Sequence, residues 1–377
     1  MSSQPVLSLD GVEVHFENQR GLMGIGQEPE TVRAVDGVTI DIEERDVVSL
    51  IGESGCGKTT LGKTCIGLQR PTGGTVEYRG HDMWDVRDGK SDSDLEWDDI
   101  RQSLQIIHQD PGSSLNPNRK IVKILAAPLK RHNPELNIQD RRARIHGMLE
   151  TVGMTPPEDY ARRYPHQLSG GEKQRVALIR ALLMNPDLIL ADEAISALDV
   201  SLRIEMMDLF LDLQETFDTS FVFISHDLSN AWYLAEKADG LIGIMYLGKL
   251  VEIGPAREVL ENPQHPYTKA LMWATPDLAL EADDDEMPLR SIDVPDPVDP
   301  PRGCRFHTRC PEAREACTTA MPPSEPVERD ETGRHEVACY RVYEDHEYWD
   351  STPLPADADG PGDAASDESE PAFGSSD

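Results

Sequence analysis

No stretch of the 377 residues comes near the roughly 18–20 consecutive apolar residues that a membrane-spanning helix needs. Apolar runs such as Leu188–Ala191 and Phe221–Ile224 are strand-sized and hemmed in by polar residues. The opening MSSQPVLSLD lacks the basic and apolar regions of a secretory leader, so the chain is expected to stay in the cytosol. Positive charge is scarce: 36 Lys and Arg face 69 Asp and Glu, a formal charge of −33. That balance excludes a bulk electrostatic attraction to nucleic-acid phosphates or anionic lipid, leaving only local basic patches. With Arg commoner than Lys, it also reads as a surface adapted to high salt, where carboxylates hold water and salt screens their repulsion. Six Cys are too few to staple a chain of this length, and in a reducing compartment they should be thiols or ligands. No internal repeat is visible. What is present is enough apolar residue, 38%, and enough length for two domains, or one large domain with an appendage.

Period-2 patterning places strands at Val6–Phe16 and Val32–Ile42, joined through a Gly-rich hairpin loop around Gly21–Gly26. The β-branched run Val47–Ile51 ends abruptly in a second Gly-rich loop, and a helix follows from Thr59 to Leu68. Residues 81–100 are acidic and irregular and read as a solvated insertion, and the chain from about Pro117 to Pro165 reads as mostly helical. Strands at Leu188–Ala191 and Phe221–Ser225 then alternate with helices at 171–184, 200–217 and 227–237, the pattern of a parallel α/β sheet. After Pro276 the composition turns acidic and Pro-rich, a linker leading to a small cysteine module at Gly303–Tyr343. The final low-complexity acidic residues are expected to be disordered.

Three motifs carry chemistry. Gly52-Glu53-Ser54-Gly55-Cys56-Gly57-Lys58-Thr59 fits G-x-x-x-x-G-K-[ST] between a strand and a helix. Its glycines let successive N–H groups curl around phosphate oxygens, and the helix that follows, beginning Lys58-Thr59-Thr60, adds its positive dipole end. Lys58 should reach the β- and γ-phosphates, and the Thr59 hydroxyl should bind Mg²⁺. Second, the apolar strand Leu188–Ala191 ends in Asp192 and Glu193, one carboxylate placed for Mg²⁺ and the next for polarising an attacking water. Third, Leu168-Ser169-Gly170-Gly171-Glu172 opens a helix about twenty residues before that strand. Ser169 suits an N-cap, and the two glycines leave the helix end bare, a second phosphate-binding surface. Two such surfaces on one chain suggest a nucleotide shared across a dimer.

In this order and spacing the chain resembles the ATP-binding subunit of ABC transporters. The resemblance implies a P-loop NTPase fold: a RecA-like parallel sheet, an antiparallel β subdomain and a helical subdomain at about 111–170, together filling residues 1–260. It also implies that Gln109, in Ile106-Ile-His-Gln109-Asp110-Pro111, contacts metal and water. Asp199, in Ser196-Ala-Leu-Asp199, would cross the dimer interface, His226 would touch the γ-phosphate, and Phe16 would stack on adenine, unless Phe16 is core. Two positions depart from the pattern, Glu172 where glutamine is commoner and Ala194 where proline often stands, and neither removes a group needed for hydrolysis. Soluble chromosome- or repair-type ATPases share this head, but Thr60–Leu168 lacks sustained heptads and the bulk charge opposes DNA. A regulator that hydrolyses nothing is opposed by an intact Glu193 and His226.

A narrower resemblance covers residues 6–343. Asn262-Pro-Gln-His265-Pro266-Tyr267, Ser114-Leu-Asn116-Pro117 and Met245-Tyr-Leu-Gly248 are similar to segments of oligopeptide/dipeptide importer ATPases, and the chain resembles the F-type partner of such two-ATPase systems more than the D-type. This implies a second ATPase subunit of the D type, with a homodimer as the alternative. It also implies two transmembrane permeases, an extracytoplasmic substrate-binding protein and a peripheral position on the cytoplasmic face. Peptide is the implied cargo; nickel and oligosaccharide importers share the signature. Residues 261–345 would form the branch's C-terminal region and 346–377 a disordered tail. Within that region Cys304, Cys310, Cys317 and Cys339 are spaced C-x5-C-x6-C-x21-C, unlike the close pairs of zinc ribbons. Four thiols in so small a module argue for a metal that would stabilise it. The resemblance implies a [4Fe-4S] cluster, with zinc or unligated thiols as alternatives. Cys56 and Cys65 read as packing residues.

Overall fold

The computed structural model describes residues 4–18, 30–275, 289–327 and 334–355. The Gly21–Gly26 loop and the acidic residues from 356 onward lie outside the described residues. In chain order the elements begin with β1 (Leu7–Asn18), β2 (Glu30–Ile42), β3 (Val47–Ile51), α1 (Lys58–Cys65), β4 (Gly73–Tyr78), β5 (His81–Asp82), α2 (Met83–Arg87), α3 (Trp97–Ser103) and β6 (Leu104–Ile107). A helical stretch follows: α4 (Pro111–Ser114), α5 (Ile121–His132), α6 (Ile138–Thr151), α7 (Pro157–Arg162) and α8 (Gly170–Leu182). The chain then returns to strand–helix alternation with β7 (Leu188–Asp192), α9 (Val200–Phe217), β8 (Ser220–Ile224), α10 (Leu228–Lys237), β9 (Leu241–Tyr246) and β10 (Lys249–Pro255). It ends with α11 (Ala256–Glu261), α12 (Pro266–Trp273), β11 (Glu325–Pro326) and β12 (Glu336–Val337).

An eight-stranded sheet in the order β11-β12-β10-β9-β3-β8-β7-β6 is the centre of the molecule. From β9 to β6 the pairings are parallel. These strands are covered on both faces, which is why they read as unbroken apolar runs rather than as alternations. Alternation survives in where the side chains go. Phe221 and Phe223 of β8 point to one core, shared with Ile189 and Ala191 of β7 and with α5–α9. Val222 and Ile224 point to the other, shared with Leu188, Leu190, α1 and the antiparallel sheet β2-β1-β4-β5. In the first core Phe210 of α9 meets Phe221 and Phe223 edge-on at 5.7 and 5.3 Å, the favoured arrangement of ring quadrupoles.

Two sequence expectations are corrected. Residues 81–100 are not a solvated insertion: Met83, Trp84, Val86 and Ile100 are buried in the second core. Trp84 and Trp97 meet at 5.7 Å, and Arg87 lies over both rings. The acidic stretch Asp88–Glu96 hid these anchors, because no apolar period survives across it. Nor does a tail begin at 346, since Tyr348 is buried, its hydroxyl donates to the Glu312 carbonyl at 2.7 Å, and Arg314 bridges to Pro353.

The C-terminal region is also no appendage. β12 extends the central sheet beyond β10, and Phe306, Cys304 and Cys310 share a core with Ile51, Ile242 and Tyr246. A carboxylate pins this junction: the buried Glu252 of β10 accepts from the backbone N–H groups of Gln264 (2.8 Å) and His265 (2.9 Å) and from Thr268 Oγ1 (2.5 Å), and it meets His335 Nε2 at 2.9 Å. Such a group is tolerable in a core only because its lone pairs are satisfied. Replacing Phe210 with Ala is expected to cost about 3–5 kcal/mol of unfolding free energy, measured by denaturant titration at unchanged m-value. A loss below about 1 kcal/mol would show that the aromatic cluster does not hold α9 to the sheet.

Candidate nucleotide site

Because β3, β8, β7 and β6 run parallel, their carboxyl ends lie along one edge of the sheet, where ligands of open α/β sheets bind. Four loops leave that edge, and each carries residues singled out above. After β3 the chain folds into a tight loop from Gly52 to Gly57. Gly57 has φ 110°, and a Cβ there would lie 1.9 Å from the Ala34 carbonyl oxygen of β2, so only glycine fits. Gly52 is held as closely, with a hypothetical Cβ 2.1 Å from the Met245 carbonyl oxygen. The glycines are thus set by backbone packed against the loop as well as by its curl. Lys58 is buried and spans the loop, its Nζ donating to the carbonyls of Gly52 (2.7 Å) and Glu53 (3.0 Å). Thr60 follows on α1, and Ser54 and Gly55 form the exposed rim of the loop.

The second loop ends β7. Asp192 Oδ1 accepts from Thr59 Oγ1 at 3.1 Å, so the two oxygens expected to bind Mg²⁺ lie side by side. Glu193 has φ 48°, a left-handed conformation that costs a non-glycine residue energy and re-aims its carboxylate. That carboxylate accepts from Gln109 Nε2 at 2.9 Å, delivered by the loop after β6, and stands 3.6 Å from Nδ1 of His226, delivered by the loop after β8. Gln109 and His226, more than a hundred positions apart in sequence, therefore meet at one carboxylate.

The remaining residues lie elsewhere. Ser169 caps α8 in a reciprocal box: its Oγ accepts from the Glu172 N–H (3.3 Å) while Glu172 Oε2 accepts from the Ser169 N–H (2.7 Å). Burial would raise the Glu172 pKa, but the Ser169 N–H, the Tyr160 hydroxyl and Arg163 hold it below the usual carboxylate range. Glu172, where glutamine is commoner, thus closes the cap as glutamine also could. Ser169 and Gly170 are exposed, Gly171 is buried beneath them, and Gly170 faces Leu198. Asp199 caps α9 through the Leu202 N–H at 3.1 Å. Among the described residues no hydrogen bond or ion pair joins Ser169, Gly170, Gly171 or Asp199 to residues 52–60. Phe16 is 43% exposed on β1, opposite Val32, two residues from the point where Ala34 meets Gly57.

Cys304, Cys310, Cys317 and Cys339 are buried and line one cavity together with His265, Phe306, Tyr340 and Tyr348. Burial pushes the thiols of Cys310 and Cys339 up to about 12 and about 11 and raises the other two as well. Among the described residues no group of three His, Cys, Asp or Glu side chains is arranged to hold a metal ion.

Comparison with known proteins agrees with this geometry. The ABC transporter family model matches residues 35–196, and that of the oligopeptide/dipeptide transporter C-terminal region matches residues 251–317. The oligopeptide transport ATP-binding protein OppF of Salmonella typhimurium is 40% identical over 339 residues, covering 89% of this chain and 96% of the relative. This chain belongs to the ATP-binding subunits of ABC transporters, in their oligopeptide/dipeptide branch. The dipeptide transport ATP-binding protein DppF of Haemophilus influenzae is 38% identical over 90% of this chain and 97% of its own length. Among solved structures, a dimeric ATP-binding cassette in a post-hydrolysis state with ADP and phosphate aligns over 67% of this chain and 99% of its own, at 26% identity and a TM-score of 0.54. The chain is therefore an ATPase subunit coupled to transport, built on the P-loop ABC fold. Among its described residues no helix is long and apolar enough to cross a membrane.

Sequence reasoning missed two groups at this site. Gln174 on α8 donates to the Ala194 carbonyl, tying α8 to the loop after β7, and Arg309 pairs with Glu53 across 256 residues. The first had a faint signal, a glutamine at a buried helix position; the second had none. Ser169→Ala is expected to lower unfolding free energy by about 1 kcal/mol through loss of the cap, whereas Glu172→Gln keeps the reciprocal box and costs less. Equal losses in the two variants, measured by denaturant unfolding, would contradict that account.

Proposed function

We propose that this subunit hydrolyses ATP with Glu193 as general base, and that the work drives import of peptides. The observation that carries the reading is the convergence of Gln109 and His226 on the Glu193 carboxylate, beside the adjacent Thr59 and Asp192 oxygens. The loop Gly52–Thr60 cradles the phosphates, with Lys58 turning from its carbonyl partners to the β- and γ-oxygens. Thr59, Asp192 and Gln109 hold Mg²⁺; their hard oxygen donors suit it, and when bound it neutralises charge on the phosphates. Glu193 takes a proton from the attacking water as its oxygen bonds to the γ-phosphorus and the bond to the ADP oxygen breaks. Gln109 orients that carboxylate, and His226 contacts the γ-phosphate. Phe16 stacks on the adenine.

Ser169, Gly170, Gly171 and Asp199 serve the nucleotide of a facing subunit, a reading supported by the exposure of Ser169, Gly170 and Asp199 away from this chain's own loop. The facing subunit is a D-type ATPase. The pair sits on two permeases at the cytoplasmic face of the membrane, fed by an extracytoplasmic binding protein. The printed functions of the relatives, oligopeptide and dipeptide transport, support a peptide cargo. In the assembled transporter, Glu193→Gln is expected to keep ATP binding and lower turnover about 10²–10⁴-fold, as loss of a general base does. Phosphate release at the parental rate would remove Glu193 from that role.

The finer reading of the C-terminal module is a [4Fe-4S] cluster on Cys304, Cys310, Cys317 and Cys339. The support is the donor chemistry: four soft thiols are among the residues lining one cavity, and each would be deprotonated on ligation, although the described side chains are not arranged as ligands here. His265 adds support. Its Nδ1 accepts from the Tyr267 N–H at 3.0 Å, which leaves Nε2 as a buried N–H donor with no partner among the described residues, on the wall of that cavity. Burial lowers the His265 pKa to about 4, so the ring is neutral. Sulfur in the cavity would satisfy it. Anaerobically purified protein is expected to absorb near 400–420 nm and to lose that band in Cys310→Ser. A colourless protein, with zinc or without metal, would refute the cluster.

A further inference from the structure

We infer that Tyr267 and Arg309 are positioning residues of the phosphate loop, through which the cysteine module sets the affinity for ATP. The inference rests on the phosphate-loop reading above and extends it to residues more than two hundred positions away. Both act on Glu53, the second residue of the loop. The Glu53 N–H donates to the hydroxyl oxygen of Tyr267 at 3.0 Å. Its carboxylate takes Nη1 of Arg309 at 2.9 and 3.0 Å on its two oxygens. Its carbonyl accepts from Lys58 Nζ. Every polar group of Glu53 is therefore committed, two of the three to side chains of the C-terminal region.

The partners are rigid in turn. Tyr267 is buried in an aromatic cluster, 4.7 Å from Tyr246 and 5.2 Å from Phe306 between ring centres. The Arg309 guanidinium is 6% exposed, lies over the rings of Tyr246 and Phe306, and reaches the Tyr246 hydroxyl at 3.4 Å. A buried guanidinium needs its carboxylate, and a loop that pairs with it cannot drift without leaving that charge unpaired. The Cys56 N–H donates to the Glu53 carbonyl at 3.3 Å, and these contacts leave the N–H groups of Ser54, Gly55 and Gly57 to Thr59 for phosphate.

Chain connectivity joins this anchor to the cysteine cavity. Arg309 is bonded to Cys310, and its N–H donates to the Phe306 carbonyl in the turn that Cys304 opens. Tyr267 is two residues from His265, whose imidazole lies on the cavity wall. A second arginine repeats the arrangement: Arg305, bonded to Cys304, donates to the Leu247 carbonyl and to Asp36. The neighbouring Gly248 N–H donates to the carbonyl of Cys56 in the phosphate loop at 2.8 Å. A change in what the four thiols hold moves the segment 304–310, and with it the grip on Glu53.

The experiment uses the full-length chain with a fluorescent ATP analogue for binding, and the assembled transporter in steady-state hydrolysis for KM and kcat. Tyr267→Phe, which removes one oxygen and keeps the ring, and Arg309→Met are each expected to raise Kd and KM on the order of ten-fold, the equivalent of one charge-assisted or buried hydrogen bond, with kcat changed less than about two-fold. Arg309→Lys should recover part of the loss. Cys310→Ser should raise KM in the parental background and add nothing in the Arg309→Met background, because both act through one link. Parental KM in Tyr267→Phe and Arg309→Met, or a Cys310→Ser effect that persists without Arg309, would overturn the inference. Lys58→Ala separates it from the underlying reading: lost binding there beside intact binding in the other variants rejects the anchor alone, and intact binding in Lys58→Ala rejects the phosphate loop.

Discussion

The parallel register of β3, β8, β7 and β6 is the constraint on which the rest depends. Parallel strands put all their carboxyl ends on one edge, so the loops leaving them open into the same space. Here that edge collects a glycine loop, two carboxylates, a glutamine and a histidine from segments centred near 55, 192, 109 and 226. An antiparallel pairing would have sent half of these groups to the opposite side of the molecule. Burial on both faces holds the register, because a one-residue slip would exchange Phe221 and Phe223 with Val222 and Ile224 between two differently shaped cores.

The site that results is braced from all sides rather than built on a free loop. β2 backs the glycine loop at Gly57, β9 backs it at Gly52, and the C-terminal region holds Glu53. At Glu193 the left-handed backbone turns the carboxylate toward its neighbours, and the surrounding loops keep that conformation in place. Preorganisation of this kind removes motion that would otherwise have to be frozen at each turnover. The N-terminal end of α8 is the exception, with Ser169 and Gly170 exposed and the end closed by its reciprocal cap.

Most of the central sheet could be read directly, because buried parallel strands are short unbroken apolar runs and their ends coincide with Gly52, Asp192 and His226. The phosphate loop was legible for the same reason: its spacing follows from backbone geometry that few residue types can adopt. The antiparallel β4 and β5 and the helices around Trp84 and Trp97 were not, since their burial rests on a few large side chains separated by acidic turns. Reading 81–100 as solvated gave charge density too much weight against the two tryptophans. The boundary at 346 failed in the same way, with Tyr348 outweighed by its acidic neighbours.

Local sequence determined which segments could be strands, where a backbone could cradle phosphate, and which side chains could accept a proton or cap a helix. These depend on spacing within a few residues, where propensity and covalent geometry dominate. Only the tertiary structure decided that Gln109 and His226 meet at Glu193, that β12 prolongs the nucleotide domain's own sheet, and that an arginine beside Cys310 holds the second residue of the phosphate loop. Those contacts join residues up to 256 positions apart, and a charge pair at that separation leaves no period, composition or spacing to read. It exists because the sheet and its cores bring the two ends of the chain together.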